Sequence, residues 1–201
     1  MLQISSGLFR GLKLRSPAGD QTRPSSERLR QSIFNVLRHF RDPAILEGAT
    51  ILDLCAGTGA LGLDAVSNGA TGAVFVESHK LALAALRENI AKIEHGSEAQ
   101  GLEPPRLTVI AKELKAGYER LPEARVVFCD PPYDRGVEKE LFELEAKYHR
   151  LEPQGLLIYE SRDREKIVDT AQSVPGHRLR CFDTKIYGDS AVHFFIKETS
   201  L

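Results

Sequence analysis

The sequence predicts a doubly wound α/β fold. A mostly parallel seven-stranded sheet ends in an antiparallel hairpin, and a small hairpin and helix precede it. Three observations carry this expectation. From residue 49 onward, short β-branched runs alternate with helix-length stretches. A glycine-rich turn joins the first run to the first of those helices. The last two runs are separated only by Gly188-Asp189-Ser190, with no room for a crossover.

In chain order, residues 2–15 alternate weakly and contain Gly7 and Gly11, which reads as a small hairpin. Residues 17–24 are polar and irregular, a connection. Ser25 or Ser26 can cap a helix running to about Phe40, since a serine hydroxyl accepts an amide that the first turn leaves unpaired. Leu29, Ile33, Phe34 and Leu37 line one face of that helix, and Arg28, Arg30 and Arg38 are expected to project from its sides.

Five runs then read as buried strands: ATILDLCAG (49–57), TGAVFVES (71–78), RLTVIAKE (106–113), ARVVFCDPP (124–132) and GLLIYES (155–161). Helical stretches 60–67, 79–94, 114–120, 137–150 and 162–173 lie between or after them. In the second, Leu81, Leu83, Ala84, Ala85, Leu86 and Ile90 supply an apolar face. Strands joined through helices pair in parallel, which makes the sheet doubly wound. Residues 94–105 are polar with Gly and Pro and read as a surface loop. Residues 177–187 and 191–197 form the closing hairpin.

The chain has 201 residues, 42% apolar and 27% charged, enough to bury one well-formed core. No apolar run approaches the roughly 20 residues of a membrane span. The N-terminus shows no signal-peptide core. Cys55, Cys129 and Cys181 are odd in number and form no CxxC, which points to a reduced, cytoplasmic protein. The six histidines show no ligand spacing, so no metal site is expected. The net charge of -1 hides an asymmetry. Residues 1–41 carry Arg10, Lys13, Arg15, Arg23, Arg28, Arg30, Arg38 and Arg41 against Asp20 and Glu27, a local balance of +6. A basic end on a neutral whole is expected to meet a polyanion. The division follows: residues 1–41 as a basic extension and residues 42–201 as the catalytic domain.

Gly57, Gly59 and Gly62 spell GxGxxG after the first strand, and Glu77 ends the second. Such glycines let a ligand approach the backbone, and the acid commonly bonds the ribose hydroxyls of an adenosine group. That much fits a dinucleotide and S-adenosylmethionine equally, on a Rossmann-like sheet. Asp53 separates them. A carboxylate four residues before the first glycine is awkward beside a pyrophosphate and favourable beside a cationic sulfonium ligand with its ammonium group. The loop also offers no basic residue to a phosphate.

Asp130-Pro131-Pro132-Tyr133 closes the fourth strand, at the edge where open α/β sheets bind ligands. The prolines fix φ and lack amide donors, so the turn presents acceptors. The Asp130 carboxylate and the Pro131 carbonyl can both accept from an exocyclic amine, and Tyr133 can stack on a base. A conjugated amine is a poor nucleophile. Two acceptors that aim it at an electrophilic methyl lower the barrier by orientation.

In order and spacing these motifs resemble class I S-adenosylmethionine-dependent methyltransferases that act on amino groups. Gly7-Leu-Phe-Arg10-Gly11-Leu-Lys13-Leu14, with Thr22-Arg23-Pro24-Ser25-Ser26-Glu27-Arg28-Leu-Arg30 and the following Phe34-Asn35-Val-Leu37, resembles the RsmD-type 16S rRNA guanine-N2 methyltransferases. LDLCAGTGALGLDAVSNGA (52–70) is similar to the same family's glycine region. Cys55 stands where that family usually has an aromatic, and Asn68 where arginine is frequent. Glu113 falls at the adenine-contacting position, usually Asp or Asn. Lys185-Ile186-Tyr187-Gly188 matches a turn that frames the base pocket.

The resemblance implies S-adenosylmethionine as methyl donor, S-adenosylhomocysteine as product and no metal. It implies cofactor contacts from Asp53, Gly57, Gly59, Glu77 and Glu113, and catalysis by Asp130, Pro131, Pro132 and Tyr133. Arg10, Lys13, Arg23, Arg28 and Arg30 are then expected to contact 16S rRNA, within an assembled small ribosomal subunit and by a monomeric enzyme. Three other functions use the same motifs: an adenine-N6 methyltransferase, a nicotinamide-dependent dehydrogenase, and a non-catalytic RNA-binding assembly factor.

Overall fold

The computed structural model describes residues 2–17, 27–42, 44–132, 137–162, 166–176 and 178–199. Among them the elements run α1 (Glu27–Arg38), β1 (Thr50–Leu54), α2 (Ala60–Ser67), β2 (Gly72–Val76), α3 (Lys80–Ala99), β3 (Arg106–Ile110) and α4 (Leu114–Tyr118). They continue with β4 (Ala124–Cys129), α5 (Val137–Tyr148), β5 (Leu151–Ser161), α6 (Lys166–Ser173), β6 (Leu179–Tyr187) and β7 (Ser190–Lys197).

The strands form one seven-stranded sheet in the order β3-β2-β1-β4-β5-β7-β6. Strands β3 to β5 pair in parallel, as their helical connections require, and β7 inserts antiparallel between β5 and β6. After β1 the chain winds to β2 and β3 on one side, then returns to β4 on the other. That reversal opens a crevice at the C-terminal ends of β1 and β4.

Each sheet face has its own core. One face collects Ile51, Phe75, Phe128, Ile158 and Phe194 under α1, α2 and α3. The other collects Leu52, Val127, Leu157 and Phe195 under α4, α5 and α6. Phe34 of α1 meets Phe128 of β4 with ring centroids 6.0 Å apart. Burying a side chain of that size contributes roughly 1.5–3 kcal/mol. Ile4, Phe9 and Leu14 of the N-terminal segment belong to the same core as α1, α2 and α3. The segment doubles back through a Gln3–Lys13 antiparallel bridge, the small hairpin expected there.

Several boundaries differ from expectation. Helix α3 does not stop at Glu94 but runs to Ala99, through half of the stretch expected as a loop. The missing Cβ of Gly96 lets the Phe9 ring approach, which offsets the cost of a glycine inside a helix. The helix ends where Leu102 N–H bonds the Ser97 carbonyl and Gly101 N–H bonds that of Glu98, with Gly101 at φ +69. Strand β5 begins at Leu151, before the GLLIYES run, and Arg162, the expected start of the next helix, lies outside α6. Helix α1 starts at Glu27 and ends at Arg38; Ser25 and Ser26, its expected caps, lie outside the described residues.

Arg30 does not project from α1. Its side chain is fully buried, its Nε donating to Asp64 Oδ2 at 2.8 Å and its Nη2 to the Gln3 carbonyl at 2.7 Å. It was expected to contact RNA. A guanidinium sealed between α1, α2 and the hairpin cannot reach a phosphate.

Candidate active site

The glycine turn runs from Cys55 to Gly59 at the crevice. Ala56 N–H continues the strand pattern to the Val76 carbonyl, and Gly59 N–H closes a tight turn onto Ala56 O at 2.7 Å. Gly59 has φ +77 and sits against Leu86 of α3, where a Cβ would lie 2.4 Å from a methyl carbon. Both its conformation and its contact demand glycine. Gly57, at φ +57, faces open space, with no atom within 4 Å of the Cβ position.

Two strand-end carboxylates brace this turn. Asp53 is 2% exposed and accepts the Gly62 amide at 2.9 Å, tying β1 to the first turn of α2. Glu77 accepts the Gly57 amide on Oε2 at 2.7 Å and the Ser78 and His79 amides on Oε1, each at 2.7 Å. Burial pushes the Asp53 carboxyl well above the ordinary carboxylate range; the Gly62 N–H opposes this, and the charges of Asp130 and Glu77 add to it. Three carboxyl groups from β1, β2 and the end of β4 therefore share one crevice. A cation entering it would relieve their mutual repulsion.

Asp130 is half-buried at the end of β4, Pro131 is buried and Pro132 is exposed. Strand β4 lies directly beside β1, with Leu54 paired to Cys129, so Asp130 follows the strand end that adjoins the glycine turn. Cys129 itself is buried, and its thiol is pushed up by burial and then by the Cys55 thiol, which suits a packing role. Glu113 is exposed at the start of α4, whose strand β3 adjoins β2 through Glu77 N–H to the Ile110 carbonyl. It reaches the same edge without a hydrogen bond to the turn among the described residues. Tyr133 and Arg23 lie outside the described residues.

Arg10, Lys13 and Arg28 are exposed, as phosphate contacts need to be. The closing hairpin leans on α1 here: the Tyr187 hydroxyl hydrogen-bonds that of Ser32. The 185–188 turn lies at the same edge of the sheet as the C-terminal ends of β4 and β5.

Two buried polar residues that hold the N-terminal segment to the helices were not singled out from the sequence. Asp64 sits in the otherwise apolar helix ALGLDAVS and holds both the Arg30 side chain and the Ser5 amide, the latter at 2.6 Å. Asn89 occupies the core-facing side of α3 and donates to the Thr58 carbonyl inside the glycine turn at 3.0 Å. In each case a lone polar residue on an apolar helix face was the available signal.

The turn fits an S-adenosylmethionine-like ligand. Gly57 leaves room, Asp53 offers a buried carboxyl that an ammonium group would favour in its charged form, and Glu77 uses three of about four carboxylate acceptor sites, leaving one for a ribose hydroxyl. Among the described residues no His, Cys, Asp or Glu group has the makings of a metal site, and no helix is long and apolar enough to cross a membrane.

Comparison with known proteins agrees with this geometry. The family model described as "Conserved hypothetical protein 95" matches residues 2–196. Ribosomal RNA small subunit methyltransferase D of Escherichia coli (strain K12) is 29% identical over 98% of this chain and 90% of its own length. YlbH of Bacillus subtilis (strain 168) is 32% identical over 82% of this chain and 84% of its own. The solved structure of yhhF from Escherichia coli superposes with a TM-score of 0.79, at 28% identity and 99% coverage of both chains. With the family match spanning nearly the whole chain and the crevice built as the motifs require, this chain belongs to the RsmD-type family of S-adenosylmethionine-dependent methyltransferases.

Proposed function

We propose that the chain methylates the exocyclic N2 amine of a guanine in 16S rRNA, with Asp130 and Pro131 holding the amine and the glycine turn holding the methyl donor. The observation that carries this reading is the juxtaposition of Asp130 with the Asp53–Gly57–Glu77 turn across paired strands β4 and β1. S-adenosylmethionine supplies an electrophilic methyl on a sulfonium, so the protein's task is to position the amine rather than to activate a leaving group.

Asp53 binds the ammonium end of the donor, and Glu77 bonds the ribose while fixing Gly57. Glu113 lies on the side where the adenine is expected. Asp130 and the Pro131 carbonyl would accept the two amine hydrogens; as the carbon–nitrogen bond forms the methyl carbon–sulfur bond breaks, the sulfonium leaves as a thioether, and the surplus amine proton passes by way of Asp130 to solvent. Tyr133, next but one after Pro131 in sequence, is the aromatic expected to stack on a base turned out of its helix.

Residues 1–41 serve as the RNA-contacting extension through Arg10, Lys13 and Arg28, with Arg23 between them in sequence. The similarity to the Escherichia coli ribosomal RNA small subunit methyltransferase D supports this substrate. A net charge of -1 supports an assembled subunit recognised by shape over indiscriminate RNA binding, and a monomeric, cytoplasmic enzyme completes the reading.

The test is methyl transfer from labelled S-adenosylmethionine to small ribosomal subunits that lack their native methylations, followed by nucleoside analysis. N2-methylguanosine in 16S rRNA is the expected product. N6-methyladenosine would keep the enzyme class and overturn the base, and no transfer despite a bound donor would overturn the substrate.

A further inference from the structure

Helix α3 carries three side chains that grip the N-terminal arm on its way to α1. Glu88 pairs with Arg15, Lys92 Nζ donates to the Lys13 carbonyl at 2.9 Å, and Asn89 binds the arm's backbone from both sides. Asn89 Oδ1 accepts the Arg15 amide at 2.7 Å, and Nδ2 donates to the Arg15 carbonyl at 3.0 Å. The remaining Nδ2 hydrogen goes to the Thr58 carbonyl at 3.0 Å. Among the described contacts Asn89 alone of the three also reaches the glycine turn, and it does so between Gly57, held by Glu77, and Gly59, seated on Leu86.

Asn89 has no exposed surface; its bond to Thr58 is buried, and its two bonds to the Arg15 backbone are part-buried. Both of its amide hydrogens are used, so losing either partner leaves a donor of a buried side chain to find another acceptor. Displacing Arg15 therefore frees the amide to shift relative to Thr58, and reshaping Thr58 disturbs the Arg15 bonds. The arm and the turn share one buried group.

We propose that Asn89 is a positioning residue that couples the arm bearing Arg10, Lys13 and Arg15 to the glycine turn, so that cofactor binding stiffens the RNA-contacting arm. This rests on the assignment above of the cofactor to the turn and of RNA to the arm. The coupling is reciprocal: whatever orders the arm tightens the cofactor by the same factor. Other arm anchors lack this property. Asn68 bonds Ser6 Oγ at 2.9 Å and the Asp64 carbonyl at 2.7 Å but does not touch the turn.

Amide hydrogen exchange at Arg15 tests the coupling in the full-length chain, with S-adenosylhomocysteine as the probe and its binding measured separately by calorimetry. In the wild type, saturating S-adenosylhomocysteine slows Arg15 exchange by about fivefold or more. Asn89→Ala still binds it, more weakly, and loses that protection, whereas Asn68→Ala keeps both affinity and protection. In methyl transfer, Asn89→Ala raises KM for small subunits with kcat retained. Unchanged Arg15 exchange in the wild type despite measured binding overturns the proposal, without need of any variant. So does a fall in kcat alone in Asn89→Ala. Absence of any S-adenosylhomocysteine binding overturns the cofactor assignment on which the proposal stands, and calorimetry tells that failure from the first.

Discussion

Glu77 Oε2 accepts the Gly57 amide at 2.7 Å, so the end of β2 holds the glycine turn open from the side opposite β4. The same carboxylate takes the Ser78 and His79 amides that lead into α3. Glu77→Ala removes the acceptor for three amides and, as proposed, for the donor's ribose. Hydrogen bonds to a charged group are each worth about 1.5–3 kcal/mol. The expected result is a ten- to hundredfold weaker S-adenosylhomocysteine affinity by calorimetry, on the order of 1.4–2.8 kcal/mol. An unchanged affinity would remove Glu77 from the cofactor site.

Asp53 is expected to make cofactor binding depend on pH. Burial raises its pKa in the folded protein, so the neutral form is favoured there and the stability it contributes is lost as pH rises through that raised value. A ligand ammonium selects the charged carboxylate. Binding is therefore expected to tighten as pH rises from the ordinary carboxylate range toward the raised value, with a proton released on binding. Calorimetry in two buffers of different ionisation enthalpy reads that proton directly. In Asp53→Asn the release disappears and the profile flattens; a release that survives this change assigns the titration elsewhere.

The Arg30–Asp64 pair is a stability element. Burial pushes the Asp64 carboxyl up while the Arg30 charge and the Ser5 amide pull it back. Removing one partner strands the other charge, at a cost of about 3–5 kcal/mol. Urea unfolding of Arg30→Met should show a loss of that size, and Arg30→Met with Asp64→Leu should lose less than the two single changes combined. A loss under about 1 kcal/mol for Arg30→Met would mean that the guanidinium is not held as the structure has it.

Arg10, Lys13 and Arg28 are expected to act through phosphates. Each change to alanine should lower RNA-particle affinity and reduce the slope of log affinity against log salt by about 0.7–0.9. Filter binding across a salt series measures it. A full salt slope in the triple variant would move the RNA surface away from the arm.

The parallel half of the sheet was legible because each strand is a short apolar run bounded by turn residues, and the helix between runs leaves a parallel crossover as the outcome. The glycine turn was legible for the same reason: Asp53, Gly57 and Glu77 lie at fixed offsets from strand ends, and strand ends become the crevice. Arg30 was misread because its partner Asp64 lies on another helix, and no periodicity within α1 reveals a buried ion pair. The extension of α3 beyond Glu94 packs Gly96 against Phe9, a contact from a distant part of the chain that no local pattern reveals. Asn89 was passed over on similar grounds. Its polar character on an apolar face was visible, but its partners at Arg15 and Thr58 exist only after the arm folds back.

The proposed chemistry turns on Asp130, which stands at the crevice and is expected to orient the amine without holding the donor. The most direct test compares wild type and Asp130→Ala in single-turnover methyl transfer to undermethylated small subunits, with S-adenosylhomocysteine affinity measured on the same preparations. The expected result is transfer slowed by at least about a hundredfold with affinity changed only a few-fold. Transfer that persists at the wild-type rate, or a loss that follows collapse of cofactor binding, would contradict the division of the crevice into a donor turn and an amine-holding strand end.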